Sequence, residues 1–200
     1  MNMTITRTVL LISIILTISL QSCKKDTKNT ETVIPTETED VYVDDPFDLI
    51  DENGDSIIIG TQKRSTLERE PYNRWFDISY KEHTLDKLTI NTIKEQLAQT
   101  HITLFMGTWC EDSQRETPAF FKILDLAGID ASTIQLITVN EDKDQPEELV
   151  AGKDITNVPT IIFQKDGQEL GRIVEYPIES LEKDMQKILN GEEYKHAYTD

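Results

Sequence analysis

The side chains best suited to covalent chemistry in this 200-residue chain are its two cysteines, Cys23 and Cys110. A cysteine attacks as the thiolate, and an unperturbed thiol is mostly protonated at neutral pH. Cys110 lies two positions before residues 112–127, whose apolar positions recur at helical spacing, so the unpaired N–H groups of a helix start would favour its anion. Glu111 and Asp112 also suit a helix start, but their negative charges oppose a thiolate beside them. The loop therefore predicts an activated nucleophile in an acidic setting.

Cys23 follows an apolar run near the start of the printed sequence. Residues 9–20 form an apolar run after Arg7 that suits a signal-peptide core and is too short for a comfortable membrane span of roughly 20 residues. The run leads into Leu20-Gln21-Ser22-Cys23, which resembles a bacterial lipobox, although Gln21 is bulkier than the usual small residue. We expect cleavage before Cys23 and diacylglycerol on its sulfur. Ordinary secretion with a coincidental cysteine is the alternative.

Lipidation of Cys23 predicts where the protein resides and what it touches. An acyl chain binds a bilayer with about 0.8 kcal/mol per buried CH₂, so the membrane is an expected partner in a periplasm-facing location of the cell envelope. Lys24 follows the lipidated residue. By resemblance to bacterial lipoproteins, in which Asp at that position favours inner-membrane retention, Lys24 favours the outer membrane. The mature protein would then have a single free thiol, on Cys110.

Composition and the remaining motifs exclude several other kinds of site. A formal net charge of −17 argues against nucleic acid as a partner, because phosphate contacts need clustered Lys and Arg. A solvated, self-repelling surface explains the acidity. No phosphate loop, dinucleotide-binding glycine motif or nucleophile-elbow motif is present. The sequence predicts no metal and no cofactor, since its three histidines lack metal-ligand spacing with each other or with Cys110: His83, His101 and His196.

Alternating apolar segments predict an α/β fold. From residue 101 the order is β-α-β-α-β-β-α, which implies a mixed central sheet with helices on its faces. The predicted strands are 102–106, 134–139, 160–163 and 170–174, and the predicted helices are 112–127, 147–151 and 178–189. The whole chain is divided into a lipoprotein signal peptide (1–22), a lipid-anchored flexible tether (23–46), an N-terminal extension packed on the domain (47–100), the α/β domain (101–190) and a polar tail (191–200).

The extension, residues 47–100, contains three recognisable segments. Residues 48–59 predict a hairpin that turns at Asn53-Gly54, because such a turn needs positive φ. The aromatic residues of 72–80 are interpreted as an anchor onto the neighbouring core, with a ligand platform as the alternative. Apolar residues at three- and four-residue spacing predict a helix over roughly 89–99.

The domain resembles the thioredoxin superfamily in several motifs that occur in the expected order. Trp109-Cys110 follows the first core strand, Pro118 lies eight residues after Cys110, and Val158-Pro159-Thr160 precedes the last hairpin. More narrowly, Gly107-Thr108-Trp109-Cys110-x-Asp112-Ser113 followed by Arg115-Glu116 resembles thioredoxin-family lipoproteins of Bacteroidetes with a Cys-x-x-Ser motif. The resemblance implies a thioredoxin-like fold over residues 101–190.

The resemblance also implies roles for individual residues. In thioredoxins the segment matching Val158-Pro159-Thr160 contains a cis-proline, lies against the active-site cysteine and pairs with the substrate backbone. The implied substrate is a thiol or disulfide of a protein or a small molecule. The implied catalytic residues are Cys110 and Ser113, and the implied substrate-binding residues are Trp109, Val158, Pro159 and Thr160.

Two positions depart from the thioredoxin pattern. Ser113 occupies the position of the second cysteine, and a hydroxyl cannot attack a mixed disulfide to release the substrate. Ser113 can instead donate a hydrogen bond to the Cys110 thiolate, or begin a capping box with Glu116. Leu104 occupies the position of the buried acid that accepts a proton from the second cysteine. The sequence therefore lacks both the second cysteine and the acid that would accept a proton from it.

The residues thus support one leading function and two alternatives. The leading hypothesis is monothiol thiol–disulfide exchange through Cys110, with an external thiol completing the cycle. A non-catalytic binding module that holds an extended partner in the proline groove is favoured by the two carboxylates and the missing resolving thiol. A redox sensor in which Cys110 is oxidised to a sulfenic acid fits the same residues.

Overall fold

The computed structural model describes residues 49–50 and 56–199. The predicted signal peptide, the lipidation site at Cys23 and the tether lie outside the described residues. Strand β1 (Leu49–Ile50) pairs antiparallel with β2 (Ser56–Ile57), as expected for the predicted hairpin, whose turn at Asn53-Gly54 also lies outside them. Within the part of the chain that is described, no helix is long and apolar enough to cross a membrane.

A five-stranded mixed sheet forms the centre of the domain. Its strand order is β3-β5-β4-β6-β7, with β4 and β5 parallel and the other neighbours antiparallel. The sequence predicted this mixed sheet, and the structure confirms it. The strands are β3 (Gly60–Gln62), β4 (His101–Met106), β5 (Gln135–Thr138), β6 (Thr160–Lys165) and β7 (Gln168–Val174).

Six α-helices surround the sheet in the described part of the chain. The pair α2 and α4 and the pair α3 and α6 pack against each other. The last helix begins at Leu181, three residues later than predicted, because the Ser180 side chain accepts a hydrogen bond from Lys183 N–H and caps it. The helices are α1 (Arg64–Leu67), α2 (Asn73–Glu82), α3 (Lys87–Leu97), α4 (Glu111–Ala127), α5 (Glu147–Val150) and α6 (Leu181–Leu189).

Two apolar clusters lie on opposite faces of the sheet, because successive side chains of a strand alternate between faces. In β4, Leu104 and Met106 belong to the larger cluster with residues of α2, α3, α4 and α6. Phe105 belongs to the smaller cluster, against which Trp109 and Cys110 pack. The strand that leads into the loop of Trp109 and Cys110 is therefore buried on both faces, which fixes where the loop begins.

Three of the four aromatic residues of 72–80 lie on α2, a helix that the sequence did not predict, and the fourth, Tyr72, directly precedes it. The helix starts after Tyr72, which provides no side-chain cap, so the sequence carries no start signal there. Phe76 is 2% exposed, and its ring centroid lies 6.3 Å from that of Phe121 in α4. The cluster thus packs the extension onto α4, the helix that carries the candidate nucleophile at its N-terminus.

Candidate functional site

Cys110 is the N-cap residue of α4 and carries a free thiol. The strand β4 ends at Met106, and a tight turn follows in which Cys110 N–H donates to the Gly107 carbonyl at 3.1 Å. The Cys110 carbonyl accepts from Gln114 N–H at 2.9 Å and so begins the hydrogen bonding of α4. The thiol is half-buried, and its Sγ lies 3.2 Å from the carbonyl oxygen of Val158. A thiolate here would face the unpaired N–H groups of the first helical turn.

The proline segment lies beside this thiol. The Val158–Pro159 peptide bond is cis, as the resemblance implied, and Val158, Pro159 and Thr160 are all buried. The Thr160 hydroxyl donates to the Asn157 carbonyl at 2.6 Å, and the Pro159 carbonyl accepts from Glu175 N–H at 2.7 Å. The structure therefore brings together Cys110 and a segment that follows it by nearly fifty residues in the chain.

Trp109 is fixed from two sides. Its Nε1–H donates to the Val139 carbonyl, just beyond the end of β5, at 2.9 Å. The Nζ of Lys143 lies 5.7 Å from the centroid of its ring. On the other side, a Cβ added to Gly107 would lie 2.4 Å from Cε2 of the indole. Gly107 is therefore required by the close approach of Trp109, and no sequence signal other than the glycine itself indicated this.

Ser113 serves the loop in a way the sequence did not indicate. The residue is fully buried, and its Oγ accepts a hydrogen bond from Gly107 N–H at 3.2 Å. It connects the third residue of α4 to the start of the turn that carries Cys110. The capping-box interpretation is wrong, because Cys110 is the N-cap and Glu116 instead accepts from the Arg115 guanidinium at 2.7 Å. A hydrogen bond from Ser113 to the Cys110 sulfur stays a prediction.

The two carboxylates next to Cys110 have different surroundings. Glu111 is exposed to solvent. Asp112 accepts a hydrogen bond from Arg115 Nη2 at 2.5 Å, one turn along the helix, and Arg115 also binds Glu116. An ion pair at this spacing partly compensates the charge of Asp112. The net negative charge beside the Cys110 thiol is consequently smaller than that of two unpaired carboxylates.

Leu104 occupies the position at which the resemblance implies a buried acid. It is wholly buried and pairs with Leu136 on one side and Ile161 on the other within the sheet. Such an apolar setting would penalise a charged group strongly. The site therefore has neither a second thiol nor a carboxylate at the position that would accept its proton.

The three histidines have different surroundings. His101 is exposed at the start of β4, and His196 accepts a hydrogen bond from Tyr198 N–H at 3.2 Å through Nδ1. His83 lies 3.0 Å from the carboxylate of Glu182 in α6. Within residues 49–50 and 56–199, no group of three His, Cys, Asp or Glu residues is arranged to hold a metal ion.

Glu182 is a buried charge that sequence reasoning missed, because its partner His83 is 99 positions away. The residue is 1% exposed. Burial acts to raise the pKa of its carboxyl, but hydrogen bonds from His83 and from Asp86 N–H outweigh it, and the pKa lies below its ordinary value. The pair connects the loop between α2 and α3 to α6.

The lowered pKa of Glu182 gives a prediction about stability against pH. A group with a depressed folded-state pKa contributes stability above its unfolded value of about 4.3, and that contribution is lost as pH falls through the folded value. We expect Glu182→Gln to lower the free energy of unfolding by about 1–3 kcal/mol at pH 7. The deficit should shrink steadily below pH of about 4. Urea unfolding of the wild-type protein and of Glu182→Gln, from pH 7 to below about pH 4, measures this difference in the free energy of unfolding. A difference that stays constant over this pH range would contradict the prediction.

A mixed sheet, a cysteine at the start of the helix after its central strand and a cis-proline beside that cysteine together define a thioredoxin-fold protein. The sequence profile of the Thioredoxin family matches residues 84–187, so the chain belongs to the Thioredoxin family. The match begins before α3 and includes every element that builds the candidate site. Membership indicates a thiol–disulfide redox function.

Individual thioredoxins also resemble the chain. Thioredoxin H5 of Oryza sativa subsp. japonica is 26% identical over 100 residues, which cover 49% of this chain and 70% of the rice protein. Mitochondrial thioredoxin 3 of Saccharomyces cerevisiae in its oxidized form is 26% identical, with 55% and 98% of the two chains covered and a TM-score of 0.34. A Pseudomonas aeruginosa protein of unknown function is 13% identical, with 65% and 88% covered and a TM-score of 0.44.

Proposed function

We propose that this chain is an exported, lipid-anchored thioredoxin-family protein that performs monothiol thiol–disulfide exchange through Cys110. The observation that carries the proposal is the thiol itself: Cys110 is free, half-buried and at the N-terminus of α4, with its Sγ 3.2 Å from the carbonyl of Val158. The position of the second thiol is occupied by Ser113, which is buried and bound to Gly107.

Exchange through a single thiol proceeds in two balanced steps. The Cys110 thiolate attacks one sulfur of a substrate disulfide, so that a bond forms between these sulfurs and the substrate disulfide breaks. The second substrate sulfur leaves as a thiolate and takes up a proton. An external thiolate then attacks the mixed disulfide and releases Cys110, because Ser113 has no sulfur with which to do so. Whether the substrate is reduced or oxidised depends on the external thiol and disulfide supplied.

The groove beside Cys110 would hold the substrate during the first step. An extended segment can pair with the backbone of Val158 in the manner of an added strand, whereas the Pro159 carbonyl is bound by Glu175 N–H and Thr160 is paired on both sides within the sheet. Trp109, held by its hydrogen bond to Val139, forms one wall. These contacts would keep the attacked sulfur near Cys110 long enough for exchange.

The anchor is proposed from the sequence of residues 1–24. The lipobox-like segment ending at Cys23 supports lipidation, and Lys24 supports an outer-membrane location facing the periplasm. The full chain expressed in a bacterium should fractionate with membranes and incorporate labelled palmitate. Cys23→Ser should lose the label and remain unprocessed. Labelling that persists in Cys23→Ser, or a wild-type protein without label, would contradict the anchor.

The exchange itself is tested with 2-hydroxyethyl disulfide, a small neutral substrate. We expect one mixed disulfide per mature chain by intact mass, located on Cys110 and reversed by added thiol, and none in Cys110→Ser. A thiol that is accessible to alkylation yet forms no adduct would contradict exchange and favour a non-catalytic binding module.

A further inference from the structure

Two consecutive side chains of α4 bind two consecutive residues of the turn that leads to Cys110. Ser113 Oγ accepts from Gly107 N–H at 3.2 Å, and Gln114 Nε2 donates to the Thr108 carbonyl at 2.7 Å. The backbone N–H of Gln114 also donates to the carbonyl of Cys110 at 2.9 Å. Gln114 is therefore bonded to the turn through its side chain and to the residue of the nucleophile through its backbone.

The Thr108 carbonyl depends on the Gln114 side chain for its hydrogen bond. Strand β4 has ended at Met106, and no backbone N–H of residues 49–50 and 56–199 donates to this carbonyl. Thr108 is 5% exposed, and its hydroxyl is buried without a hydrogen-bond partner among the same residues. A buried acceptor that loses its donor keeps the full cost of its desolvation. Removal of the Gln114 amide therefore leaves this carbonyl unsatisfied unless the turn moves towards solvent.

The position of this carbonyl affects the two residues that follow it. The carbonyl belongs to the peptide group that joins Thr108 to Trp109, and a peptide group is planar. The bond from Gln114 thus fixes the direction in which the chain enters Trp109 and, one residue later, Cys110. The indole is fixed separately, by its Nε1–H bond to the Val139 carbonyl. A peptide group released by Gln114 would move the backbone between these two attachments.

We propose that Gln114 is a positioning residue for exchange at Cys110, because its amide holds the Thr108 carbonyl and thereby the sulfur in the orientation that attacks a bound disulfide. This inference rests on the proposed function. The amide makes and breaks no covalent bond and acts through the Thr108 carbonyl. A nucleophile displaced by about 1 Å loses up to about a hundredfold in rate. The role needs an N–H donor at the end of a side chain of this length, which Gln provides and Met does not.

Gln114→Met removes the donor while keeping a side chain of similar length and helix preference. The measured reaction is that of 2-hydroxyethyl disulfide, in which the Cys110 sulfur binds one half of the reagent and the other half leaves as a thiolate that takes up a proton. We expect the second-order rate constant of this reaction to fall about tenfold in Gln114→Met.

Gln186→Met is the matched control. The Gln186 side chain is also partly exposed, and its Nε2 donates to the Thr92 hydroxyl at 2.8 Å, which joins α6 to α3. The control loses a hydrogen bond from the same amide group, but this bond holds no residue of the turn at 107–110. We expect both variants to lower the urea midpoint of unfolding, and Gln186→Met to react at the wild-type rate.

A spectroscopic measurement separates positioning from a general loss of stability. The chain has two tryptophans, so its indole N–H groups give two ¹H–¹⁵N cross-peaks, which Trp109→Phe assigns. We expect the Trp109 cross-peak of the folded protein to move in Gln114→Met while that of Trp75 stays in place. Both cross-peaks should stay in place in Gln186→Met.

Gln114→Glu tests the donor itself and replaces the first variant if Gln114→Met does not fold. A protonated carboxyl can donate to the Thr108 carbonyl, whereas an ionised carboxylate can only accept. The Trp109 cross-peak should therefore lie near its wild-type position at pH of about 3.5 and move away as the new carboxyl ionises, at pH of about 4.3 or above. The same series of spectra on the wild-type protein is the reference.

The outcomes separate this inference from the proposed function. A wild-type rate in Gln114→Met, or an equal loss of rate in Gln186→Met, would overturn the positioning role. A Trp109 cross-peak that keeps its wild-type position in both Gln114 variants would overturn it as well. If the wild-type protein forms no adduct with 2-hydroxyethyl disulfide at Cys110, the proposed function fails, and the cross-peaks still decide whether Gln114 holds the turn.

Discussion

Ser113→Cys is expected to convert the single-thiol site into one that releases its own mixed disulfide. Ser113 is the third residue of α4, on the first helical turn after Cys110, and its buried Oγ is hydrogen-bonded to Gly107 at the start of the turn that carries Cys110. A thiol at this position would attack the Cys110 sulfur intramolecularly, closing a disulfide between positions 110 and 113 and expelling the bound thiol. Effective molarities for such oriented reactions reach about 10⁵ M or more. We expect the adduct with 2-mercaptoethanol to decay at least about a hundredfold faster than in the wild-type protein.

The rate of that decay is measured by intact mass after excess reagent is removed. Ser113→Ala is the matched control: it also loses the hydrogen bond to Gly107 N–H but gains no thiol. Its adduct should therefore persist. Because Leu104 provides no acid to accept the second proton, the decay in Ser113→Cys should accelerate as pH rises and more of the new thiol ionises. An adduct equally long-lived in both variants would mean that positions 110 and 113 do not face each other.

The sequence was informative wherever structure follows from local spacing. The strand 102–106 and the helix 112–127 are present and each begins one residue earlier than predicted, because a short apolar run and the helical repeat are local properties. The order of the motifs also indicated the pairing of Cys110 with the Val158 segment. That pairing came from resemblance, since no spacing within the chain shows which distant loop reaches a given cysteine.

The contacts that the sequence did not reveal are of another kind. Gly60–Gln62 joins the sheet as an edge strand beside β5, although its own residues carry little strand pattern. The hydrogen bond from Gly107 N–H to Ser113 Oγ has a backbone donor, so no pattern of side chains in the sequence indicates it. In the sequence, Glu182 resembles a solvated residue on the exposed side of a helix, but in the fold His83 lies against its carboxylate. Each of these depends on tertiary packing, and tertiary packing overrides local preference.

Gly107→Ala is expected to disturb the site from a position that takes no part in the chemistry. An added Cβ would lie 2.4 Å from Cε2, 2.6 Å from Nε1 and 2.8 Å from Cζ2 of Trp109. The indole cannot yield by rotating a flexible end, because it is rigid and its Nε1–H is bound to the Val139 carbonyl. Either the indole leaves that carbonyl or the turn moves. We expect a loss of about 1–3 kcal/mol in the free energy of unfolding.

The same substitution should slow exchange, because Gly107 provides both the carbonyl that accepts from Cys110 N–H and the N–H bound by Ser113. A displacement of the nucleophile by about 1 Å costs up to about a hundredfold in rate. A double-mutant cycle of Gly107→Ala with Trp109→Phe identifies the cause of the lost stability, since the smaller ring removes most of the atoms that the new Cβ meets. If the indole contact is responsible, Gly107→Ala will cost much less stability in the Trp109→Phe background than in the wild-type protein. If the stability losses of the two substitutions are additive, the strain lies in the turn itself. Trp109 would then be held by its hydrogen bond to Val139 alone, without support from the close approach of Gly107.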